Sequence, residues 1–145
     1  NYIDRYSGAF IGRYEDKVEN QFYWYIRPQE TGNKTDVRWL TLLDSGGLGV
    51  KITGLQPISF SALHFSPEDL DPGLTRKLQH TIDIVPQKNI FLHVDLKQRG
   101  LGGDNSWGMY PHNEYRLLDK KYTYSYMIEL VEKGSDKNDY LNSRK

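Results

Sequence analysis

The stretch Tyr122-Thr-Tyr-Ser-Tyr-Met-Ile-Glu-Leu130 alternates large apolar side chains at its even positions with mostly polar ones at its odd positions. Successive side chains of a β-strand point to opposite faces, so this period of two predicts a strand with one face on a core. Residues 90–96 and 22–27 show the same alternation. All three stretches are therefore predicted to be strands.

Further strands are predicted at residues 37–43 and 48–53, separated by the turn Ser45-Gly46-Gly47. Residues 58–65 begin as another strand, but its apolar side chains change face at Leu63 and Phe65. A change of face within one strand indicates a β-bulge.

One short helix is predicted after this strand. Ser66 can cap it, Pro67 suits its first position, and Asp69 completes a capping box. The pair Pro72-Gly73 should end the helix, and residues 74–80 are expected to form a second helical turn.

Several short strands with Gly- and Pro-rich connections and little helix predict an all-β fold, an antiparallel β-sandwich. The chain lacks the alternating strands and helices of a barrel enzyme, which takes about 250 residues. Its 145 residues suit one domain. We expect that domain to occupy residues 1–132, and the polar residues 133–145 to form a disordered tail.

Composition narrows the classes of function. Nineteen Lys and Arg balance 19 Asp and Glu, so there is no basic excess to neutralise nucleic-acid phosphates. No apolar run approaches the roughly 20 residues that span a bilayer, and the absence of cysteine excludes disulfides. We therefore expect neither a nucleic-acid nor a membrane partner. The first residue is Asn rather than Met, which predicts a processed or excised segment and leaves cytoplasm and periplasm both open.

A glycine-rich loop, Gly100-Leu-Gly-Gly-Asp-Asn-Ser-Trp-Gly108, follows the strand at 90–96. Glycines allow a sharp turn, and the short polar side chains can fix it, so Trp107 is presented on a stiff base. An indole held in this way can bind a sugar ring or plug a core, and composition alone favours neither. The residues expected to shape the loop are Gly102, Gly103, Asp104, Asn105 and Ser106.

Other polar groups are weaker candidates for contact with a ligand. A loop at residues 28–39 carries a carboxylate, amides and an arginine, which could bind hydroxyls, although hydrogen bonding to its own backbone is the favoured interpretation. Two residues of the strand at 90–96 share a face and could pair on a metal, but a structural hydrogen bond is favoured there too. These candidates are Gln29, Glu30, Asn33, Arg38, His93 and Asp95.

No catalytic arrangement can be picked out in this chain. Asp95, Asp104 and Glu114 are candidate carboxylates for glycoside cleavage by elimination alone, and each has a better structural interpretation. No metal site and no cofactor is predicted within the chain.

Two long motifs give the sequence a resemblance to a known family. Pro28-Gln-Glu-Thr-Gly-Asn-Lys-Thr-Asp-Val-Arg-Trp39 resembles the P-Q-E-x-G-N-x-x-D-V-R-W signature in the C-terminal domain of glycoside hydrolase family 2 β-galactosidases. The loop at 100–108 resembles that domain's G-x-G-G-D-x-S-W-G motif, and Asn1-Tyr-Ile-Asp-Arg5 resembles its N-Y-x-D-R. The resemblance covers roughly residues 1–130.

The resemblance implies a galactose-mutarotase-like supersandwich, of which this chain is roughly the C-terminal half. It implies that Trp107 stacks on the sugar, while the catalytic glutamates and the principal magnesium ligands lie in a barrel domain outside this chain. The expected partners are a β-galactoside, the remaining domains of the parent enzyme and further copies of that enzyme.

Three functions stay open at this point. The chain can be a non-catalytic domain that completes the pocket of a β-galactosidase, which the resemblance favours. It can instead be a stand-alone carbohydrate-binding module that uses Trp107, or a structural domain that serves assembly of the enzyme.

Overall fold

A computed structural model of the chain describes residues 11–24, 31–71, 73–74, 80–99 and 108–134. Within these ranges four strands form one antiparallel sheet, and the helices have three or four residues each. The strands are β1 (Lys34–Leu43), β2 (Leu48–Leu63), β3 (Phe91–Asp95) and β4 (Tyr126–Glu132). The helices are α1 (Pro67–Leu70) and the 3-10 helices Val18–Gln21, Thr81–Asp83 and Asn113–Tyr115. The predicted all-β class is confirmed.

Strand β2 organises the sheet because every other described strand pairs with it. Strand β1 runs antiparallel along one side. On the other side β3 pairs with the end of β2, and β4 pairs with its beginning. Since β3 and β4 are both antiparallel to β2, they run in the same direction, one after the other.

A tight turn joins β1 to β2 where the sequence predicted it. The amide of Asp44 donates to the carbonyl of Leu48 at 2.8 Å, and the amide of Gly47 donates to the carbonyl of Asp44 at 3.1 Å. The carboxylate of Asp44 also accepts from the amide of Leu48 at 3.0 Å. These bonds satisfy the polar groups of the turn and set the register of the hairpin.

The prediction of separate strands at 48–53 and 58–65 with a bulge at the end was wrong. Strand β2 is continuous from Leu48 to Leu63, and its register against β1 shifts twice. The larger shift lies in the middle of β2, between Thr53, opposite Trp39, and Ile58, opposite Val37, and a smaller one follows between Ile58 and Phe60, opposite Lys34. Pro57 lies in this stretch and has no N–H to donate to a ladder. The strand ends at Leu63, and the chain beyond it turns so that Phe65 belongs to the same apolar cluster as Leu63.

Two apolar clusters lie on the two faces of the sheet. The larger one is built from Leu40, Ile52 and Ile58, with half-buried side chains from β1, β2 and β3 around it. The second lies where β2 ends and contains Leu63, Phe65, Leu70 and Ile84, with Phe22 packed against it. Full burial of one such side chain stabilises the fold by about 1.5–3 kcal/mol.

Helix α1 begins with the predicted capping box. The amide of Asp69 donates to Ser66 Oγ at 3.2 Å, and the amide of Ser66 donates to Asp69 Oδ2 at 2.7 Å. Gln87 Nε2 also donates to Asp69 Oδ2, at 2.6 Å. Partial burial raises the pKa of Asp69, but the hydrogen bonds from Ser66 and Gln87 outweigh it and hold that pKa below its usual value.

Two strand predictions need correction. Of the strand expected at 22–27, Phe22–Trp24 is not in a strand, and 25–27 lie outside the described residues. Phe22 instead packs its ring 4.4 Å from that of Phe65. The strand expected from Tyr122 begins only at Tyr126. The alternation of apolar and polar side chains along a segment does not show whether a neighbouring strand is present to pair with that segment.

Other predictions fall largely outside the described ranges. Of the second helical turn expected at 74–80, residues 75–79 are not described, and the 3-10 helix Thr81–Asp83 follows. Residues 133–134 form a turn, and the rest of the expected tail is not described. None of the helices in the described part combines the length and apolar character needed to cross a bilayer.

Strand β4 places a row of apolar side chains on the surface. Leu130 is 90% exposed and Ile128 60%, and Met127, on the opposite face of β4, is 50% exposed. Ile128 lies directly opposite Ile52, which is buried on the same face of the sheet. The second layer of the predicted sandwich is not among the described residues and stays a prediction.

Candidate functional site

The predicted sugar-binding loop lies between two described segments. Trp107 and its neighbours Gly102, Gly103, Asp104, Asn105 and Ser106 are outside the described residues. Strand β3 leads into this loop as predicted, and the structure resumes at Gly108. The described part of the candidate site therefore consists of the two segments that flank the loop.

The entry to the loop is the end of β3. His93 lies opposite Ser61 and Asp95 lies opposite Ser59, which confirms that His93 and Asp95 share a face. The His93 side chain is exposed, and Asp95 is half-buried. Asp95 Oδ2 accepts a long hydrogen bond of 3.4 Å from Gln98 Nε2, so it contacts the chain two residues before the loop.

The exit from the loop carries an exposed aromatic that the sequence reasoning missed. Tyr110 is 63% exposed, and the Arg116 guanidinium lies 4.5 Å from the centre of its ring. Arg116 is held in turn by a 3.1 Å hydrogen bond from its Nη1 to Asn113 Oδ1. The spacing of these residues fits no regular element, so no periodic signal could have revealed the pair.

The described part of the 28–39 motif serves the fold. Gln29 and Glu30 are not described. Asn33 is buried, Arg38 is exposed, and Lys34 Nζ donates to the carbonyl of Gly32 at 2.7 Å. Burial lowers the pKa of Lys34, and the nearby carboxylate of Asp16 partly offsets this effect. Direct sugar contact by Asn33 or Arg38 stays a prediction.

Trp39, at the end of that motif, packs on the sheet beside two cations. Lys51 Nζ is 5.8 Å from its ring centre, and Arg13 Cζ is 5.9 Å from it. Such cation–π contacts stabilise a ring where it is. Trp39 is therefore a structural aromatic.

His64, outside the candidate site, has a structural contact. His64 Nδ1 lies 2.9 Å from the carbonyl of Gln87 and 3.2 Å from that of Asn89. A carbonyl can only accept, so Nδ1 carries the hydrogen. Within the described ranges no group of three or more His, Cys, Asp or Glu side chains could hold a metal ion.

A shallow depression of about 560 Å³ lies at the beginning of β2, between the hairpin turn and the end of β4. Its lining includes Val50, Leu130 and Val131. The depression lies at the C-terminal end of β4, and its largely apolar lining suits protein packing better than a sugar.

Comparison with known proteins finds a family and close relatives. Residues 1–128 match the family described as beta galactosidase small chain. A β-galactosidase of Priestia megaterium is 36% identical over 130 residues, which are 89% of this chain and 12% of the relative. A β-galactosidase of Streptococcus thermophilus is 36% identical over 131 residues, again 89% of this chain and 12% of the relative. A third, from Photobacterium profundum, is 30% identical over 129 residues, 89% of this chain and 11% of the relative.

The antiparallel sheet and these matches together define the chain as a domain of a β-galactosidase. More narrowly, it belongs to the beta galactosidase small chain family. The resemblance seen in the two sequence motifs is thereby confirmed. The chain spans only about an eighth of the length of the relatives it matches.

Proposed function

We propose that the chain is the non-catalytic C-terminal domain of an enzyme that hydrolyses terminal β-D-galactosides, and that it completes the sugar pocket with Trp107. The observation that carries the proposal is the loop Gly100–Gly108, with its single indole, in a chain of this family. The other two tryptophans have different settings. Trp39 packs beside two cations, and the Trp24 ring makes a T-shaped contact with that of Phe22, with the ring centres 5.4 Å apart.

The chemistry of the parent enzyme would use residues outside this chain. Two carboxylates about 5 Å apart would cleave the glycosidic bond through a covalent intermediate. Magnesium would bind in the barrel domain, where these carboxylates are expected. The described residues of this chain offer no group of three or more His, Cys, Asp or Glu side chains that could hold it. Trp107 would bind the apolar face of the sugar ring and keep water away from it.

Kinetics of the intact enzyme test the proposal. Trp107→Ala should raise KM for a nitrophenyl galactoside more than it lowers kcat, because stacking on the ring is kept from ground state to transition state. Trp107→Phe should recover part of the loss. Trp24→Ala is the matched control, since Trp24 is 66% exposed, and it should leave KM unchanged. An unchanged KM with a large fall in melting temperature for Trp107→Ala would make Trp107 a core residue instead.

The fragment alone should hydrolyse no galactoside. The proposal assigns it no catalytic carboxylate pair, and the carboxylates of Asp44 and Asp69 accept structural hydrogen bonds. Turnover of a nitrophenyl galactoside by the pure fragment, abolished when one of its own carboxylates is mutated, would contradict this.

A role in assembly is favoured by a separate observation, the exposed apolar side chains of β4. We infer that other domains of the parent enzyme cover this face, and the intact enzyme can further associate with copies of itself. Calorimetry of the fragment with galactose distinguishes these roles from that of an independent carbohydrate-binding module. Among these functions, only the module would bind galactose as an isolated fragment.

A further inference from the structure

The segment that carries Trp107 leaves the sheet and returns to it at one place. Strand β3 ends with Asp95 opposite Ser59, and β4 begins with Tyr126 opposite Gly54. Because β3 and β4 lie on the same side of β2 and run in the same direction, β4 continues the line of β3. Residues 96–125 are thus an insertion into one line of strand. The point of insertion is the irregular middle of β2.

The returning arm is the segment that leads into β4. At this point the Gln56 side chain, rather than the backbone of a neighbouring strand, forms hydrogen bonds with it. The carbonyl of Ser125 accepts from the amide of Leu55 at 3.0 Å and from Gln56 Nε2 at 3.1 Å. The amide of Ser125 donates to Gln56 Oε1 at 3.3 Å. The Gln56 amide group thereby satisfies both the donor and the acceptor of Ser125.

The outgoing and returning arms are also joined to each other. The Tyr124 hydroxyl donates to the carbonyl of Val94, the next-to-last residue of β3, at 2.9 Å. One step further out, Lys97 Nζ lies 5.3 Å from the centre of the Tyr122 ring. We call this set of contacts the neck; its residues are Gln56, Val94, Lys97, Tyr122, Tyr124 and Ser125.

We propose that the neck positions Trp107, and that the Tyr124 hydroxyl is its principal positioning group; this rests on the proposed function of Trp107. Pairing with β2 already fixes the ends of β3 and β4, and the neck extends this constraint outward along both arms to Lys97 and Tyr122, which removes conformations in which the arms separate. A segment that is already restricted loses less freedom when a sugar binds, which favours binding. Tyr124 is 38% exposed, so its hydroxyl can be removed without opening a cavity in the core.

The test is Tyr124→Phe in the intact β-galactosidase. This change removes one hydrogen bond and keeps the ring, so KM for a nitrophenyl galactoside should rise roughly two- to tenfold, with a smaller change in kcat. The matched control is Tyr126→Phe. The Tyr126 ring is 5.9 Å from that of Tyr124 and is similarly exposed, yet Tyr126 lies in the ladder, and its change should leave KM unaltered.

A double-mutant cycle separates positioning from a general effect on the fold. If Tyr124 acts through Trp107, then Tyr124→Phe should have no further effect on KM in a Trp107→Ala background. Independent, multiplicative effects of the two changes would overturn the proposal. So would an unchanged KM in Tyr124→Phe, or an equal rise in Tyr126→Phe. Failure of the proposed function shows separately, as an unchanged KM in Trp107→Ala alone.

Discussion

At the scale of single residues, Gly32 shows why a motif can be required without touching a ligand. Its φ is +69°, and a Cβ placed on it would lie 2.6 Å from the carbonyl oxygen of Gln21 and 3.0 Å from Leu63 Cδ2. The polar motif at 28–39 therefore needs a glycine at this position so that the 3-10 helix Val18–Gln21 can pack against β2.

Gly32→Ala should destabilise the chain more than Gly73→Ala. Gly73 also has a positive φ, +84°, but no atom of the described residues lies within 4 Å of its missing Cβ. Gly73→Ala should therefore lower the free energy of unfolding by about 1–2 kcal/mol, because alanine must adopt the left-handed conformation there. Gly32→Ala should lower it further, because a steric clash is added to that strain. Urea unfolding at one fixed protein concentration measures both. Equal losses of unfolding free energy in the two variants would show that the Gln21 carbonyl can move away from the new Cβ at no cost in stability.

Asp69 gives the structure a dependence on pH. Its hydrogen bonds hold its pKa in the folded chain below the value in the unfolded chain. The stabilisation is therefore present above the unfolded pKa of about 3.9 and is lost as the pH falls through the folded value. Asp69→Asn should lower the free energy of unfolding by about 1 kcal/mol at neutral pH and flatten its dependence below about pH 4.

Unfolding of Asp69→Asn and of the unchanged chain across that range checks this prediction. Gln87→Ala is a useful comparison, since it removes one of the donors and leaves the capping box in place. An unaltered pH profile in Asp69→Asn would mean that other carboxylates carry the acid sensitivity.

At the scale of elements, sequence alternation located β3 almost to the residue, and the capping box located α1. The alternation failed where pairing with other strands decides where a strand begins and ends. It divided β2 into two strands, because Gly54 and Pro57 are poor strand formers, although β1 pairs with β2 on both sides of this stretch and β4 pairs with it as far as Gly54. It extended β4 back to Tyr122, where side chains of the neck replace the ladder.

The candidate site was predictable to a similar degree. Motifs placed the loop after β3 and put His93 and Asp95 on one face, because strand periodicity fixes which residues share a face. The contact between Tyr124 and Val94 joins residues far apart in sequence, and so does that between Gln56 and Ser125. Such pairs depend on the register of three strands, which no local pattern encodes.

Ile52 and Leu130 lie on one face of neighbouring strands but differ in exposure, 3% against 90%. In the isolated chain Ile52→Ala should cost about 2–5 kcal/mol. Leu130→Ala should stay within about 0.5 kcal/mol of the unchanged chain. If other domains cover this face, Leu130→Ala should destabilise the intact enzyme clearly more. Equal small effects in chain and enzyme would show that the face stays uncovered.

At the scale of the whole molecule, the chain presents a sheet whose apolar surface continues beyond its own core. Apolar patches of this kind drive association in water. We expect the purified 145-residue chain to associate as its concentration rises, and Leu130→Lys to reduce that association without unfolding the chain. Sedimentation velocity over a range of concentrations checks this. A monomer throughout, with no binding of a hydrophobic dye, would contradict it.

The central claim, that this domain completes a sugar site with Trp107, is tested most directly by the affinity of the intact enzyme for a thiogalactoside that it cannot hydrolyse. Calorimetry reports Kd without any contribution from chemistry. Trp107→Ala should weaken binding about two- to tenfold, the effect of losing roughly 0.5–1.5 kcal/mol of aromatic contact, and Trp24→Ala should not. An unchanged Kd for Trp107→Ala in a folded enzyme would contradict the claim.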